Sequence, residues 1–294
     1  MISPQLSRQI RRLQIRARRA VEDLLGGAYH SVFKGTGMAF EEVREYQPGD
    51  DVRRIDWNVT ARMGHPFIKR YIEERELTVM LALDVSGSQQ FGTQRQPKRE
   101  IAAEIAALLA FSAYGNNDKV GLLAFSDHVE LYLPPRKSTQ HILRIIREVL
   151  GYPPGQRRTH LAQALDYLNR VQRRRAIVFL ISDFLDHDYE RPLRRAARRH
   201  DLIAVHISDP REEELPPVGL LEVVDAETGR HWLLDTSAAA VRQAYADQAQ
   251  QRRASLRQLL RSARIDLIDT STEGGHLDAL MRFFETRQGR LKRE

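Results

Sequence analysis

The chain has 294 residues, of which 42% are hydrophobic and 29% are charged, as in an ordinary folded protein. It contains no cysteine, which excludes disulfides and thiolate metal sites and fits a reducing compartment. No stretch approaches the roughly 18 consecutive apolar residues of a membrane span. Arginines interrupt the N-terminal segment where a signal peptide needs an apolar run. We therefore expect a cytoplasmic protein.

The formal net charge of +7 comes mostly from arginine, and two arginine clusters stand out. The members are Arg8, Arg11, Arg12, Arg16, Arg18 and Arg19 in the first cluster, and Arg191, Arg194, Arg195, Arg198 and Arg199 in the second. The second set falls on one helical face, and a solvated helix face is the favoured interpretation. An acidic partner surface, a peripheral membrane contact and a nucleic acid remain as alternatives. Nucleic acid is the least favoured, because no aromatic platform or nucleic-acid motif accompanies the arginines.

Residues 1–76 are predicted to form a separate N-terminal region. Apolar residues at helical spacing predict a helix over 5–25, and Gly26-Gly27 is expected to end it. Turn-forming sequences such as Gln47-Pro48-Gly49-Asp50-Asp51 separate short β-like runs over 28–76, which predicts loops and short strands. A structural role is favoured for the conspicuous segment Arg44–Trp57, and a partner-docking surface is the alternative.

Residues 77–294 show strands and helices in regular alternation. Apolar runs predict strands over 78–83, 119–125, 129–133, 176–181, 202–207 and 265–268. Helices are predicted over 98–114, 138–150, 160–172 and 238–262 and from 276, and a hairpin-like insertion over about 213–236. This order indicates an α/β fold with a doubly wound, mostly parallel sheet. Ligands of such sheets bind beyond the carboxyl ends of the strands.

Oxygen-bearing side chains follow two of the predicted strands. Asp84, Ser86 and Ser88 come directly after the first strand, and Asp183 comes after the fourth. Thr159 lies between them at the start of a helix. An all-oxygen set without a soft ligand suits a hard cation, with Mg²⁺ favoured over Mn²⁺ or Ca²⁺. Each of the five residues could instead cap or form a turn, but the whole set favours a metal site.

The set resembles the metal-ion-dependent adhesion site of von Willebrand factor A domains, in which Asp-x-Ser-x-Ser is joined by a distant Thr and a later Asp. Phe184 departs from that pattern, since many A domains carry glycine there. The segments Lys34–Phe40, Arg44–Asp51, Arg53–Trp57 and Ala61-Arg62 resemble the bacterial family called domain of unknown function 58. The resemblance implies a non-enzymatic module that binds a protein through its metal and a carboxylate from the partner. It also implies a MoxR-type AAA+ ATPase as that partner, in chaperone-like or complex-assembly work.

Two other classes of function remain open. A metal-dependent hydrolase or phosphotransferase would use Asp84 as its nucleophile, but such enzymes commonly need a second Asp where this chain has Ser86. An arginine-driven nucleic-acid binder would lose affinity steeply with salt. The sequence contains no phosphate loop of the Gly-x-x-x-x-Gly-Lys type, so ATP hydrolysis by this chain is not expected.

Overall fold

A computed structural model describes residues 4–33, 39–72, 76–94, 96–152 and 158–291. The chain forms two compact units, Met1–Val32 with Thr78–Glu294 as the larger and Phe33–Leu77 as the smaller. The larger unit resumes next to the boundary predicted after residue 76. The assignment of the first helix to the N-terminal region was wrong, because that helix belongs to the larger unit.

The N-terminal helical segment runs past its predicted end. It consists of α1 (Pro4–Ala20), a π-helical turn (Val21–Leu25) and α2 (Gly26–Val32), so the two glycines do not stop it. Tyr29 of α2 is completely buried, and its hydroxyl donates to Asp118 Oδ2 at 3.0 Å. This packing outweighs the cost of about 1 kcal/mol for each glycine in a helix.

The smaller unit contains an antiparallel pair of strands, β1 (Ala39–Glu45) and β2 (Phe67–Ile72), and the short helix α3 (Trp57–Met63). Arg44 binds both carboxylate oxygens of Asp50, at 2.9 and 2.7 Å. The carboxylate of Asp56 caps α3 by accepting from two backbone N–H groups. These contacts support the structural role favoured for this segment, although α3 itself was not predicted.

The larger unit is built on a six-stranded sheet, as the sequence predicted. Its strands are β3 (Thr78–Asp84), β4 (Lys119–Phe125), β5 (Val129–Arg136), β6 (Ile177–Ser182), β7 (Asp201–Ser208) and β10 (Asp266–Ser271). The spatial order is β10-β7-β6-β3-β4-β5, and only the pairing of β4 with β5 is antiparallel. In this doubly wound order the chain reverses its direction of progress between β3 and β6, which is where such sheets bind ligands.

Helices cover both faces of this sheet. They are α4 (Lys98–Gly115), α5 (Thr139–Gly151), α6 (Leu161–Val171), α7 (Glu190–Arg199), α8 (Pro210–Glu213), α9 (Ala239–Ser262) and α10 (His276–Leu291). On one face, Met80 and Ala82 of β3 join a core formed with α6, α7 and α9. Val79, Leu81 and Leu83 alternate with them and are also buried, while α4 packs with α1, α5 and α10. The strands are continuously apolar because both faces are covered.

A β-hairpin lies within the span predicted for the insertion. Its strands are β8 (Leu220–Val224) and β9 (His231–Asp235), paired antiparallel. The outward face carries apolar side chains, with Leu220 69% exposed and Leu233 67% exposed. Exposed apolar surface on a well-formed hairpin is typical of an interaction site.

His200, which follows α7, is buried, and neither ring nitrogen has a hydrogen-bond partner within the described part of the chain. Burial, aided by Arg199 and Arg175, lowers the pKa of His200 from 6.5 to about 4. Between pH 6.5 and 4, His200 is therefore protonated in the unfolded chain but neutral in the folded chain. The free energy of unfolding should fall as the pH drops through this range.

We expect His200→Met to reduce this loss, because methionine fills a similar space without titrating. Urea denaturation midpoints of both proteins at several pH values measure the difference. Parallel pH profiles for the two proteins would contradict the assignment.

Candidate metal site

The predicted ligand residues converge at the carboxyl edge of the sheet. Asp84 is the last residue of β3, and Asp183 directly follows β6, so the two carboxylates flank the point where the strand order reverses. Ser86 and Ser88 lie in the turn after β3, and Thr159 precedes α6. All five residues are buried, with at most 8% of any one exposed.

Four of the five form a connected set of hydrogen bonds. Asp84 accepts from the backbone N–H of Ser86 at 3.0 Å through Oδ1 and from the Ser182 hydroxyl at 2.6 Å through Oδ2. The hydroxyls of Ser86 and Ser88 lie 3.1 Å apart. Ser88 also hydrogen-bonds the carboxylate of Asp183. Ser182 was not predicted as part of the site, and its role in fixing Asp84 was missed.

Lys98 was not predicted as part of the site. It is the first residue of α4 and is completely buried. Its ammonium lies 2.6 Å from Asp183 Oδ2 and 2.6 Å from Glu212 Oε1. Burial would lower the pKa of Lys98, but the two carboxylates together raise it, so the residue carries a positive charge. The sequence carries no indication of this role, because a lysine at the start of an apolar helix is common and both partners lie more than 80 residues away along the chain.

Glu227 was also missed. It lies in the turn of the β8–β9 hairpin, and its Oε1 accepts a hydrogen bond from the Thr159 hydroxyl at 2.6 Å. Burial raises the pKa of Glu227, the hydroxyl of Thr159 opposes that shift, and the charge of Asp183 adds to it. Thr159 therefore faces an acidic side chain from the chain's own insertion.

The two central carboxylates have different electrostatic environments. Burial raises the pKa of Asp84, the charge of Asp183 adds to the shift, and hydrogen bonds from Ser182 and Ser86 offset only part of it. Burial would also raise the pKa of Asp183, but its contact with Lys98 lowers it instead. A cation beside Asp84 would favour its charged form and lower its pKa.

The spacing of the serine hydroxyls fits a small octahedral cation. Adjacent oxygen ligands of Mg²⁺ bound at 2.0–2.1 Å lie about 3.0 Å apart, and Ser86 Oγ and Ser88 Oγ lie 3.1 Å apart. The five predicted ligand side chains offer only oxygen atoms, which hard cations prefer. The donor set therefore fits the predicted metal.

The local charge also fits a divalent cation. The carboxylates of Asp84, Asp183, Glu212 and Glu227 lie at this edge of the sheet, and the ammonium of Lys98 pairs with two of them, Asp183 and Glu212. Burial raises the pKa of Glu212 as well as those of Asp84 and Glu227. The charge of Asp183 adds to each of these shifts, and a cation bound at this edge would offset it.

The family profile described as "Protein of unknown function DUF58" matches residues 42–255. The uncharacterized protein Rv1480 of Mycobacterium tuberculosis is 36% identical over 290 residues, which covers 97% of this chain and 90% of the relative. The chain belongs to the DUF58 family.

Solved structures similar to this DUF58 protein are more distant. The conserved hypothetical protein BatB from Bacteroides thetaiotaomicron matches with a TM-score of 0.46 and 15% identity, covering 72% of this chain and 99% of that one. The SpRpn10 VWA domain matches with a TM-score of 0.38 and 14% identity, covering 70% and 94%. Among the described residues, no helix combines the length and apolarity needed to cross a membrane.

The structure of this DUF58 protein explains how Phe184 occupies a position where many A domains carry glycine. Phe184 has a φ of 55°, in the left-handed region that glycine adopts without strain. Its N–H donates to the Ser182 hydroxyl at 3.0 Å, and its buried ring packs beside Tyr189 and His206. Packing of the ring and the hydrogen bond to Ser182 therefore hold a conformation that costs about 1–3 kcal/mol.

The neighbouring aspartates act in local structure. Asp186 accepts from the backbone N–H of Leu161 at 2.7 Å and so caps α6. Asp188 has a left-handed backbone, and α7 begins after Tyr189 without a side-chain cap.

A second group of metal-binding residue types lies elsewhere. One ligand atom from each of Asp127, His128 and Glu130 falls within 4.8 Å of the others, and the first two residues are exposed. His128 already contacts both acids, at 2.6 and 3.1 Å. These contacts account for the group as a local ion-pair cluster.

The arginine side chains of α7 make contacts within the chain, whereas the sequence analysis favoured a solvated helix face. Arg199 donates to the carbonyls of Asn169 and Arg173 at 2.7 and 2.9 Å, next to the end of α6. Arg195 pairs with Asp166 at 3.0 Å. These contacts satisfy carbonyl groups at the end of a helix and limit the arginines available to an external partner.

Arg199→Gln is therefore expected to lower the free energy of unfolding by about 1 kcal/mol. Arg198→Gln, at an exposed position on the same helix, is the matched control and should change it by less than about 0.5 kcal/mol. Urea denaturation measures both values. Equal effects of the two substitutions would show that the contacts of Arg199 do not stabilise the fold.

Proposed function

We propose that this DUF58 protein is a non-enzymatic, metal-dependent protein-interaction module. Ser86, Ser88, Thr159 and Asp183 would hold Mg²⁺, with Asp84 acting directly or through water. The bound ion would supply an electrophilic position for a carboxylate of the partner. The observation that carries the proposal is the buried, hydrogen-bonded set of ligand side chains at the switch point of the sheet.

The chemistry of the ligands supports binding of an external carboxylate. Three of the proposed ligands are neutral hydroxyls, which leave a divalent cation with unsatisfied positive charge. Lys98 neutralises part of the charge of Asp183, so that carboxylate also transfers less negative charge to the ion. An acidic side chain from a partner would gain a charge-assisted bond in a partly desolvated site.

The geometry around Asp84 disfavours the hydrolase alternative. A nucleophilic carboxylate needs an oxygen that can approach an electrophile, yet both oxygens of Asp84 accept hydrogen bonds, at 3.0 and 2.6 Å. The residue is also almost completely buried. A role in fixing a metal or its water is compatible with both features.

The proposed partner is a MoxR-type AAA+ ATPase, as the family resemblance implies, and the cytoplasmic location remains a prediction. Hydrogen bonds from several arginines of α7 to the chain itself reduce the support for nucleic acid or an anionic membrane as the partner. The exposed apolar face of the β8–β9 hairpin supports a protein partner instead.

Binding of the purified protein to a purified MoxR-type ATPase tests the proposal. Immobilised wild type should bind the ATPase in Mg²⁺ and show at least about 10-fold weaker affinity in EDTA, as expected when one charge-assisted contact of about 1.5–3 kcal/mol disappears. Ser86→Ala should show the same loss in Mg²⁺ while keeping its circular dichroism spectrum. Equal binding in Mg²⁺ and EDTA would contradict the metal-dependent mechanism.

A further inference from the structure

The turn of the β8–β9 hairpin is organised to present one side chain. Asp225 Oδ1 accepts from the backbone N–H groups of Glu227 and Thr228 at 2.8 and 2.9 Å. The Gly229 N–H donates to the Asp225 carbonyl at 2.8 Å, and Gly229 has a φ of 68°. The backbone on both sides of Glu227 is therefore fixed by local contacts.

Glu227 reaches from this turn to the candidate metal site. Its carboxylate accepts from both the hydroxyl and the backbone N–H of Thr159, and it interacts with the charge of Asp183. Two acidic groups without a cation between them repel each other. The two hydrogen bonds from Thr159 hold the half-buried carboxylate of Glu227 at the site despite the nearby charge of Asp183.

The hairpin is separated from the end of the sheet by a cavity of about 800 Å³. Ser88 and Glu212 border it on the side of the site, and Leu221 and Val223 border it on the side of the hairpin. The hairpin is thus not tightly packed beneath its inner face. Its contact through Glu227 holds the tip close to the site, while the space beside it allows movement.

We propose that Glu227 is an internal ligand of the metal site and occupies the position that a partner's carboxylate would take. The proposal rests on the function proposed above and adds its regulation. Thr159 orients the carboxylate of Glu227 toward the site, and a partner must displace Glu227 before its own carboxylate can bind. The exposed apolar residues Leu220 and Leu233 give such a partner a surface by which to hold the hairpin.

The number of water molecules on bound Mn²⁺ tests this proposal, because paramagnetic relaxation of water protons reports exchangeable inner-sphere water. Mn²⁺ bound to Glu227→Ala should relax water more strongly than Mn²⁺ bound to wild type, since water replaces the lost carboxylate. Sodium acetate, as a minimal carboxylate, should then lower the relaxation of the variant complex and leave wild type unchanged.

Glu222→Ala is the matched control, because Glu222 lies on the same hairpin and pairs with His231 at 2.8 Å on the exposed face. It should behave as wild type. Glu227→Gln keeps an oxygen that accepts from Thr159, so it should retain the hairpin position while letting acetate compete better than in wild type. Amide hydrogen exchange over residues 220–235 reports whether each variant keeps the hairpin folded.

Three outcomes separate the two proposals. Stronger relaxation and acetate sensitivity in Glu227→Ala, with neither in wild type or Glu222→Ala, support the internal ligand. Equal relaxation in wild type and Glu227→Ala, with Mn²⁺ bound by both, overturns the internal ligand and leaves the proposed function intact. Failure of wild type to bind Mn²⁺ overturns both.

Discussion

Lys98→Met is expected to lower the free energy of unfolding by about 3–5 kcal/mol, the cost of leaving buried charge without its partner. The ammonium of Lys98 is completely buried and contacts Asp183 and Glu212 at 2.6 Å each. Methionine has a similar length and no charge, so the substitution removes the ion pairs with little change in volume. The carboxylates of Asp183 and Glu212 would then repel each other without the ammonium between them.

Urea denaturation followed by circular dichroism measures this loss in EDTA. Lys137→Met, at an exposed position, is the control and should change stability by less than about 0.5 kcal/mol. Added Mg²⁺ should recover part of the stability of Lys98→Met, since the ion supplies positive charge to the same carboxylates. A loss below about 1 kcal/mol would show that the charges around Lys98 are neutralised in another way.

Asp84→Asn is expected to weaken Mn²⁺ binding at least about 100-fold, because changes around a ligand alone cost about 10–100-fold. Asparagine keeps an oxygen that accepts from Ser86 or Ser182, so the turn should remain in place. The substitution also removes a buried charge that faces Asp183. Stability in EDTA should therefore not fall, and only wild type should gain stability when Mn²⁺ is added.

Calorimetric titration of Mn²⁺ into both proteins measures the affinities, and thermal unfolding with and without the ion measures the linked stability. Asp127→Asn is the matched control, since Asp127 belongs to the exposed cluster with His128 and should not contribute to the site. Equal affinity of wild type and Asp84→Asn would remove Asp84 from the ligand set.

The sheet could be predicted from the sequence because strands buried on both faces are apolar throughout, and they alternate with helices along the chain. Strands such as 78–84 and 177–182 are apolar throughout, which a helix-covered parallel sheet requires. The end of the first helix could not be predicted in the same way. Local chemistry at Gly26-Gly27 favours a stop, but the burial of Tyr29 against Asp118 and Phe284 is a tertiary effect that local spacing does not record.

Residues of the candidate site were predictable where they follow strands or where, like Thr159, they complete a family pattern. Asp84 and Asp183 lie at strand ends, where the fold class directs attention. Lys98 lies at the start of a helix, and Glu227 lies on an inserted hairpin 68 residues from Thr159. Neither position carries a pattern in the sequence that indicates its partner. The sequence pattern of the hairpin predicts its two strands, but it does not indicate which element the turn between them contacts.

Diffraction from a crystal soaked in Mn²⁺ tests the central claim most directly, because anomalous scattering locates the ion independently of any variant. The account predicts a single strong anomalous peak within coordination distance of Ser86 Oγ, Ser88 Oγ and a carboxylate oxygen of Asp183. A peak at Asp127, His128 and Glu130 instead, or no peak beside the two serines, would contradict it.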